Sequence, residues 1–132
     1  MEKRKVYIAS PYTIGDTAVN VKKQMDCATL LMDIGFIPFA PLLTHFLHLV
    51  NPRPYTTWME YDFEWVKACD FLLRLQGQSS GADREILVAE SNDIPIIRDI
   101  EVLLKHITIK DDSNYSVDGI IRKFDEINKL GV

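Results

Sequence analysis

Two carboxylates in this sequence occupy positions where an inward-pointing side chain needs something to act on. At about 100° per residue, Trp58, Met59, Tyr61, Phe63, Trp65, Val66, Ala68 and Cys69 form an apolar arc of about 220° on one helix. Glu60, Glu64 and Lys67 cluster opposite, and Asp62 falls near the middle of the arc. Burying a bare carboxylate there would cost several kcal/mol, so Asp62 must be hydrogen-bonded or open onto a cavity. Two readings follow: a structural Asp that caps a neighbouring element, or a burial-perturbed carboxylate at an active site.

The second carboxylate belongs to Gly77-Gln78-Ser79-Ser80-Gly81-Ala82-Asp83-Arg84-Glu85, which has the form of a strand-to-helix turn. Gly77 and Gly81 relax the backbone, and Ser79 and Ser80 supply a helix cap plus a spare hydroxyl. The first amides of such a helix point outward and can hold an anion or a sugar oxygen. Glu85 falls one turn in, on the inward side beside Val88 and Ala89, whereas Asp83 and Glu90 point outward. By itself it could be a carboxylate that merely favours a helix N-terminus. Paired with Asp62 on the helix feeding the same strand, it suggests chemistry at an anomeric carbon. One group attacks or shields an oxocarbenium ion while the other handles protons or orients the sugar.

Other chemistries fit less well. His45 and His48 are close in sequence, but no His-Glu-His or Cys cluster accompanies them, so no metal is expected. Neither Ser79 nor Ser80 lies in a Gly-x-Ser-x-Gly elbow. Tyr7 is either a core tyrosine or one bonded to the catalytic carboxylate. Tyr12 stands just past the first strand. His45, Phe46 and Trp58 are either ordinary packing or the wall of an aromatic pocket.

The elements that must hold these residues follow from pattern. Lys5–Ser10, Phe36–Ala40, Asp70–Leu75 and Ile94–Ile97 read as strands, the second with prolines that favour an edge. Ala18, Val21, Met25, Ala28 and Met32 predict an amphipathic helix, capped by Asp16 or Thr17 and ending at Gly35. A capping box at Thr57-Trp58-Met59-Glu60 opens a helix to about Cys69. A further helix runs from the serine turn to about Ser91, and a terminal one from Tyr115 to Leu130. Between Pro41 and Thr56 lie residues that could form a short helix, then the loop Asn51-Pro52-Arg53-Pro54. Strands alternating with helices imply a mainly parallel sheet covered on both faces, with ligands beyond the carboxyl ends of the strands. The loops after the first and third strands should therefore open onto one crevice.

The chain has 132 residues, 47% of them hydrophobic and 26% charged, which suits one domain spanning 1–132. Its net charge of −4 and the lack of a long basic run argue against a nucleic-acid partner. No apolar run suits a membrane span, and Cys27 and Cys69 have no metal-type spacing, so a reduced, cytoplasmic protein is expected.

Short motifs in order also carry a resemblance: Val6-Tyr7-Ile8-Ala9-Ser10-Pro11-Tyr12, Gly35-Phe36-Ile37-Pro38, Asp62-Phe63-Glu64-Trp65-Val66 with Ala68-Cys69-Asp70, and Ser79-x-Gly81-x-x-x-Glu85. They resemble the nucleoside 2-deoxyribosyltransferase-like family, including its nucleoside 5′-monophosphate N-glycosidases, over about residues 5 to 97. The resemblance implies that Glu85 is a nucleophile forming a glycosyl-enzyme and that Asp62 binds the sugar or assists the base. It implies that Tyr7 positions the nucleophile and that Ser79 contacts phosphate. It also implies a homodimer or higher homo-oligomer.

The expected fold is α/β, a flavodoxin-like or Rossmann-like three-layer domain with a mainly parallel sheet of about 4–5 strands. The expected activity is N-glycosidic cleavage, by hydrolysis or deoxyribosyl transfer, on a nucleoside or its 5′-monophosphate, with no cofactor. Catalysis falls to Glu85, Asp62 and Tyr7. Substrate binding falls to Ser10, Tyr12, His45, Trp58, Gly77, Ser79, Ser80 and Gly81. A non-catalytic nucleotide sensor and an NAD glycohydrolase are the alternatives.

Overall fold

The computed structural model describes residues 3–109 and 115–132. Its first strand, β1 (Lys5–Ala9), is the β-branched and aromatic run at the start of the chain, and four of its five residues are buried. Helix α1 (Thr17–Ile34) follows, with Asp16 as its cap: the carboxylate accepts from Val19 N–H at 3.1 Å. Gly35, at φ 109°, ends it in the left-handed conformation that a side chain would disfavour. Next come β2 (Ile37–Phe39), a 3-10 turn (Pro41–Leu43), α2 (Thr44–Val50) and α3 (Tyr55–Ala68). The chain continues through β3 (Phe71–Arg74), α4 (Ser80–Ser91), β4 (Ile96–Ile97), α5 (Ile100–Leu104) and α6 (Val117–Asn128).

The four strands are all parallel, in the order β2-β1-β3-β4. Tyr7 is in register with Phe39 on one side and Leu72 on the other. The proline-bearing β2 lies at an edge, where a missing N–H breaks no ladder. The alternation of strand side chains divides the core into two layers. Val6, Ile8, Phe71 and Leu73 pack beneath α1, α5 and α6 with Cys27, Leu31, Ile100 and Phe124. Tyr7, Ala9 and Leu72 face α3 and α4 with Val66, Ala82 and Ala89. The result is a three-layer α/β fold of the flavodoxin-like kind, as the alternating pattern implies.

Local expectations change in several places. The buried face of α1 is Asn20, Lys23, Gln24, Cys27, Leu30 and Leu31, not the stripe through Ala18, Val21, Met25, Ala28 and Met32; Met32 is 66% exposed. Polar residues occupy the inward row because their tips bond to loop backbone, described below. Helix α3 begins two residues before the expected capping box, at Tyr55 after Pro54, and no side chain caps it. The backbone of Pro54 does that work, its carbonyl accepting from Thr57 N–H at 3.0 Å. Tyr61 and Trp65 stand 40% and 39% exposed, so the inward arc of α3 is narrower than its apolar composition suggests. The short helix α5, which pairs Ile100 and Leu103 into the core, has no counterpart in the pattern reading. Helix α6 starts at Val117, capped by Ser116, rather than at Tyr115. Among the described residues, no helix is long and apolar enough to cross a membrane.

Candidate active site

Beyond the carboxyl ends of β1 and β3 the structure opens a cavity of about 600 Å³, within the range of small-ligand sites. Ser10 and Tyr12 from the loop after β1 line it, with Gln78 and Ser79 from the loop after β3 and Ser80 at the start of α4. The two loops thus share one crevice. Its other walls come from α2 and α3, through His45, His48, Trp58, Met59 and Asp62.

Glu85 lies on the cavity floor, buried on the first turns of α4. Tyr7, fully buried on β1, donates its hydroxyl to Glu85 Oε2. The contact joins the centre of the sheet to the helix and fixes which way the carboxyl faces. Burial is the main force that raises Glu85, to about 8; the neighbouring Asp62 adds to it, while the Tyr7 bond and the Arg74 guanidinium oppose it. Burial also raises Asp62, to about 7. Asp62 Oδ1 is buried and has no hydrogen-bond partner among the described residues. Asp62 is among the residues that line the cavity. Burial, and then Glu85, raise the Tyr7 phenol well above its ordinary value, so it stays a donor. Two carboxyls this high cannot both be ionised in neutral solution. Tyr7 and Arg74 favour the anion on Glu85 and keep it from rising further, whereas nothing offsets burial at Asp62.

The serine turn is built as its sequence requires. Ser79 Oγ caps α4, accepting from Ala82 N–H at 3.1 Å, and leaves the exposed Ser80 hydroxyl free of a described partner. Gly81 sits against Tyr55, whose hydroxyl would be 3.3 Å from a β-carbon at that position. Asp83 and Glu90 face solvent while Glu85 and Ala89 are buried.

Of the residues singled out by sequence, Ser10, Tyr12, His45, Trp58, Asp62, Ser79, Ser80, Gly81 and Glu85 line the cavity. Tyr7 lies beneath it and reaches it through Glu85. Gly77 does not line it. Its backbone, at φ 119°, instead presses on the loop after β1, where an added β-carbon would come within 2.5 Å of Pro11 Cγ.

Sequence reasoning leaves out several lining residues. Gln24 joins three segments: its Nε2 donates to Ser10 Oγ at 2.8 Å, and its Oε1 accepts from Leu42 N–H at 2.8 Å. His48 Nδ1 accepts from Trp58 Nε1 at 2.9 Å and from the Arg53 amide at 3.1 Å. Two N–H donors on one ring nitrogen place the imidazole proton on Nε2. His45 Nδ1 lies 2.6 Å from the Tyr12 hydroxyl. Both histidines thus fasten α2, which buries none of its own residues, to the body. The spacing of His45, His48 and Trp58 hints at this, whereas nothing local marks Gln24.

Comparison with known proteins gives a fold and a family. A solved structure of a 2-deoxyribosyltransferase from the psychrotolerant bacterium Bacillus psychrosaccharolyticus superposes with a TM-score of 0.52 at 18% identity, over 88% of this chain and 95% of that one. At that identity the likeness is one of fold. No curated protein matches the chain. Residues 4–99, which carry β1 to β4 and both carboxylates, match the family described as "Domain of unknown function (DUF7768)", and the chain belongs to that family.

Proposed function

We propose that this protein cleaves the N-glycosidic bond of a nucleoside or nucleoside 5′-monophosphate, by hydrolysis or by deoxyribosyl transfer. The observation that carries the reading is the buried Tyr7–Glu85 contact on the cavity floor, with Asp62 unpartnered in the same cavity. The shared fold with a 2-deoxyribosyltransferase supports it. In this reading the Glu85 carboxylate attacks C1′ and forms a glycosyl ester. The C1′–N bond breaks, its electron pair leaves with the base, and the base takes a proton from Asp62 or from water. Water or a second base then attacks C1′, gives its proton to Asp62 or to solvent, and releases Glu85 as the carboxylate. Tyr7 holds the carboxylate on line, and the α4 amides with Ser79 and Ser80 receive sugar or phosphate oxygens. The reaction needs no cofactor. The protein acts as one domain in the cytoplasm, assembled as a homodimer or larger.

A panel of nucleosides, their monophosphates and NAD, with and without an acceptor base, tests this by chromatography of free base. Wild-type protein should release base from at least one nucleoside or monophosphate, and a folded Glu85→Ala variant should release none. Full turnover by Glu85→Ala would sink the mechanism. The capped serine turn by itself would also serve a non-catalytic nucleotide binder. Tight binding without release, in the same panel, would favour that reading. Release of nicotinamide alone would make the protein an NAD glycohydrolase.

A further inference from the structure

Lys23 is the most deeply buried cation of the described chain, at 0% exposure, and no carboxylate pairs with it among the described residues. Its ammonium donates instead to three backbone carbonyls: Gln76 at 2.7 Å, Asn128 at 2.8 Å and Leu130 at 2.9 Å. All three protons are used, and two of the acceptors belong to the end of α6 and the turn after it, where carbonyls lack helical partners and the helix dipole is negative. Burial, then the nearby Arg74, lowers the ammonium to about 8, so it carries its charge in neutral solution.

The third acceptor gives this cage a role beyond packing. Gln76 leads directly into the serine turn, and both of its backbone groups are committed to the same corner. Its carbonyl accepts from Lys23, and its N–H donates to Asn128 Oδ1 at 2.7 Å. One residue on, the Gly77 carbonyl accepts from Arg74 Nη2 at 2.8 Å, and its α-carbon abuts Pro11. The path from Asn128 to the cavity is therefore short: Gln76, Gly77, Gln78, then Ser79, whose hydroxyl caps α4, the helix that carries Glu85. Lys23 and Asn128 lie outside the cavity lining, so neither can touch a ligand in it.

We propose that Lys23 and Asn128 are positioning residues for the cavity, holding Gln76 from the α6 corner so that the Gly77–Ser79 turn presents the cap of α4 in one place. The proposal rests on the reading that the cavity is the working site. Lys23→Met strips the donor from three backbone carbonyls at once and endangers the fold itself, so Asn128→Ala is the deciding variant. It removes one acceptor, and Asn128→Asp restores it. Amide exchange by NMR on the full chain reads the result. In Asn128→Ala the Gln76 amide loses its bond and must exchange faster, which is trivial. The informative reporter is the Ala82 amide, bonded to Ser79 Oγ. It should exchange roughly tenfold faster in Asn128→Ala, with Phe124 on α6 unchanged and near wild-type protection in Asn128→Asp. An unchanged Ala82 amide, or an equal rise at Phe124, would overturn the proposal. On any substrate that wild-type protein turns over, kcat/KM should fall roughly tenfold in Asn128→Ala and recover in Asn128→Asp. Absence of turnover in the wild type would defeat the proposed reaction, while the exchange at Ala82 would still decide the positioning role.

Discussion

Glu85 and Asp62 give up water on folding and gain little in return, and this ties stability to pH. Burial raises them to about 8 and about 7, from ordinary values of 4.5 and 3.8. A carboxyl that holds its proton more tightly when folded stabilises the fold fully below its unfolded value. That contribution disappears as pH rises through the folded one. The protein should therefore melt several degrees lower at about pH 9 than at about pH 5. The double variant Asp62→Asn/Glu85→Gln should lose most of that fall. Amides do not titrate, and the carbonyl of a glutamine replacing Glu85 can still accept from Tyr7. An unaltered pH slope in the double variant, followed by calorimetry, would show that these carboxyls are not the source. Both residues are legible in the sequence for the same physical reason: a carboxylate on the inward face of a helix contradicts its neighbours. Tyr7 is ambiguous there, since a core tyrosine and one that aims a carboxylate look the same until a partner 78 residues away is in place.

At the level of elements, the serine turn is the part most fully encoded locally. Ser79 has extended backbone angles, φ −161° and ψ 113°, as a cap requires, and its hydroxyl takes one of the unsatisfied amides of α4. Ser79→Ala should cost about 1 kcal/mol in urea unfolding, and Ser80, already inside the helix, should not compensate. A loss well below that would mean solvent or Ser80 supplies the cap. Helix α1 teaches the opposite lesson. Its apolar periodicity points to Val21, Met25 and Met32, while the face that packs inward carries Asn20, Lys23 and Gln24. Asn20 Nδ2 donates to the Tyr12 and Ile14 carbonyls at 2.9 and 2.8 Å, Lys23 reaches the loop after β3, and Gln24 reaches Ser10. Each polar tip is satisfied by a partner in a loop outside the helix, so a rule that equates inward with apolar chooses the wrong stripe. The same row of side chains orders the loops that line the cavity, which is why the support of the site is harder to read than the site itself.

For the whole molecule, the decisive contact is between the two strand-end loops. Gly77 adopts φ 119° with Pro11 against its α-carbon, so the loop after β3 can close only because residue 77 has no side chain. Gly77→Ala should destabilise by about 1–3 kcal/mol from backbone strain, with the clash added. Pro11→Ala in the same chain should recover the clash but not the strain. Denaturant unfolding of both single variants and the double variant measures the coupling. Strictly additive losses would mean the loops do not constrain each other. Helix α2 stands apart from this rigid frame. It buries no residue, leaves Phe46, Leu47, Leu49 and Val50 more than half exposed, and still contributes His45 and His48 to the cavity wall. A segment that walls the cavity without contributing to the core can change its sequence at little thermodynamic cost. On the proposed function, diversifying α2 should alter ligand preference while the β1–β3 frame and the carboxylate pair stay untouched.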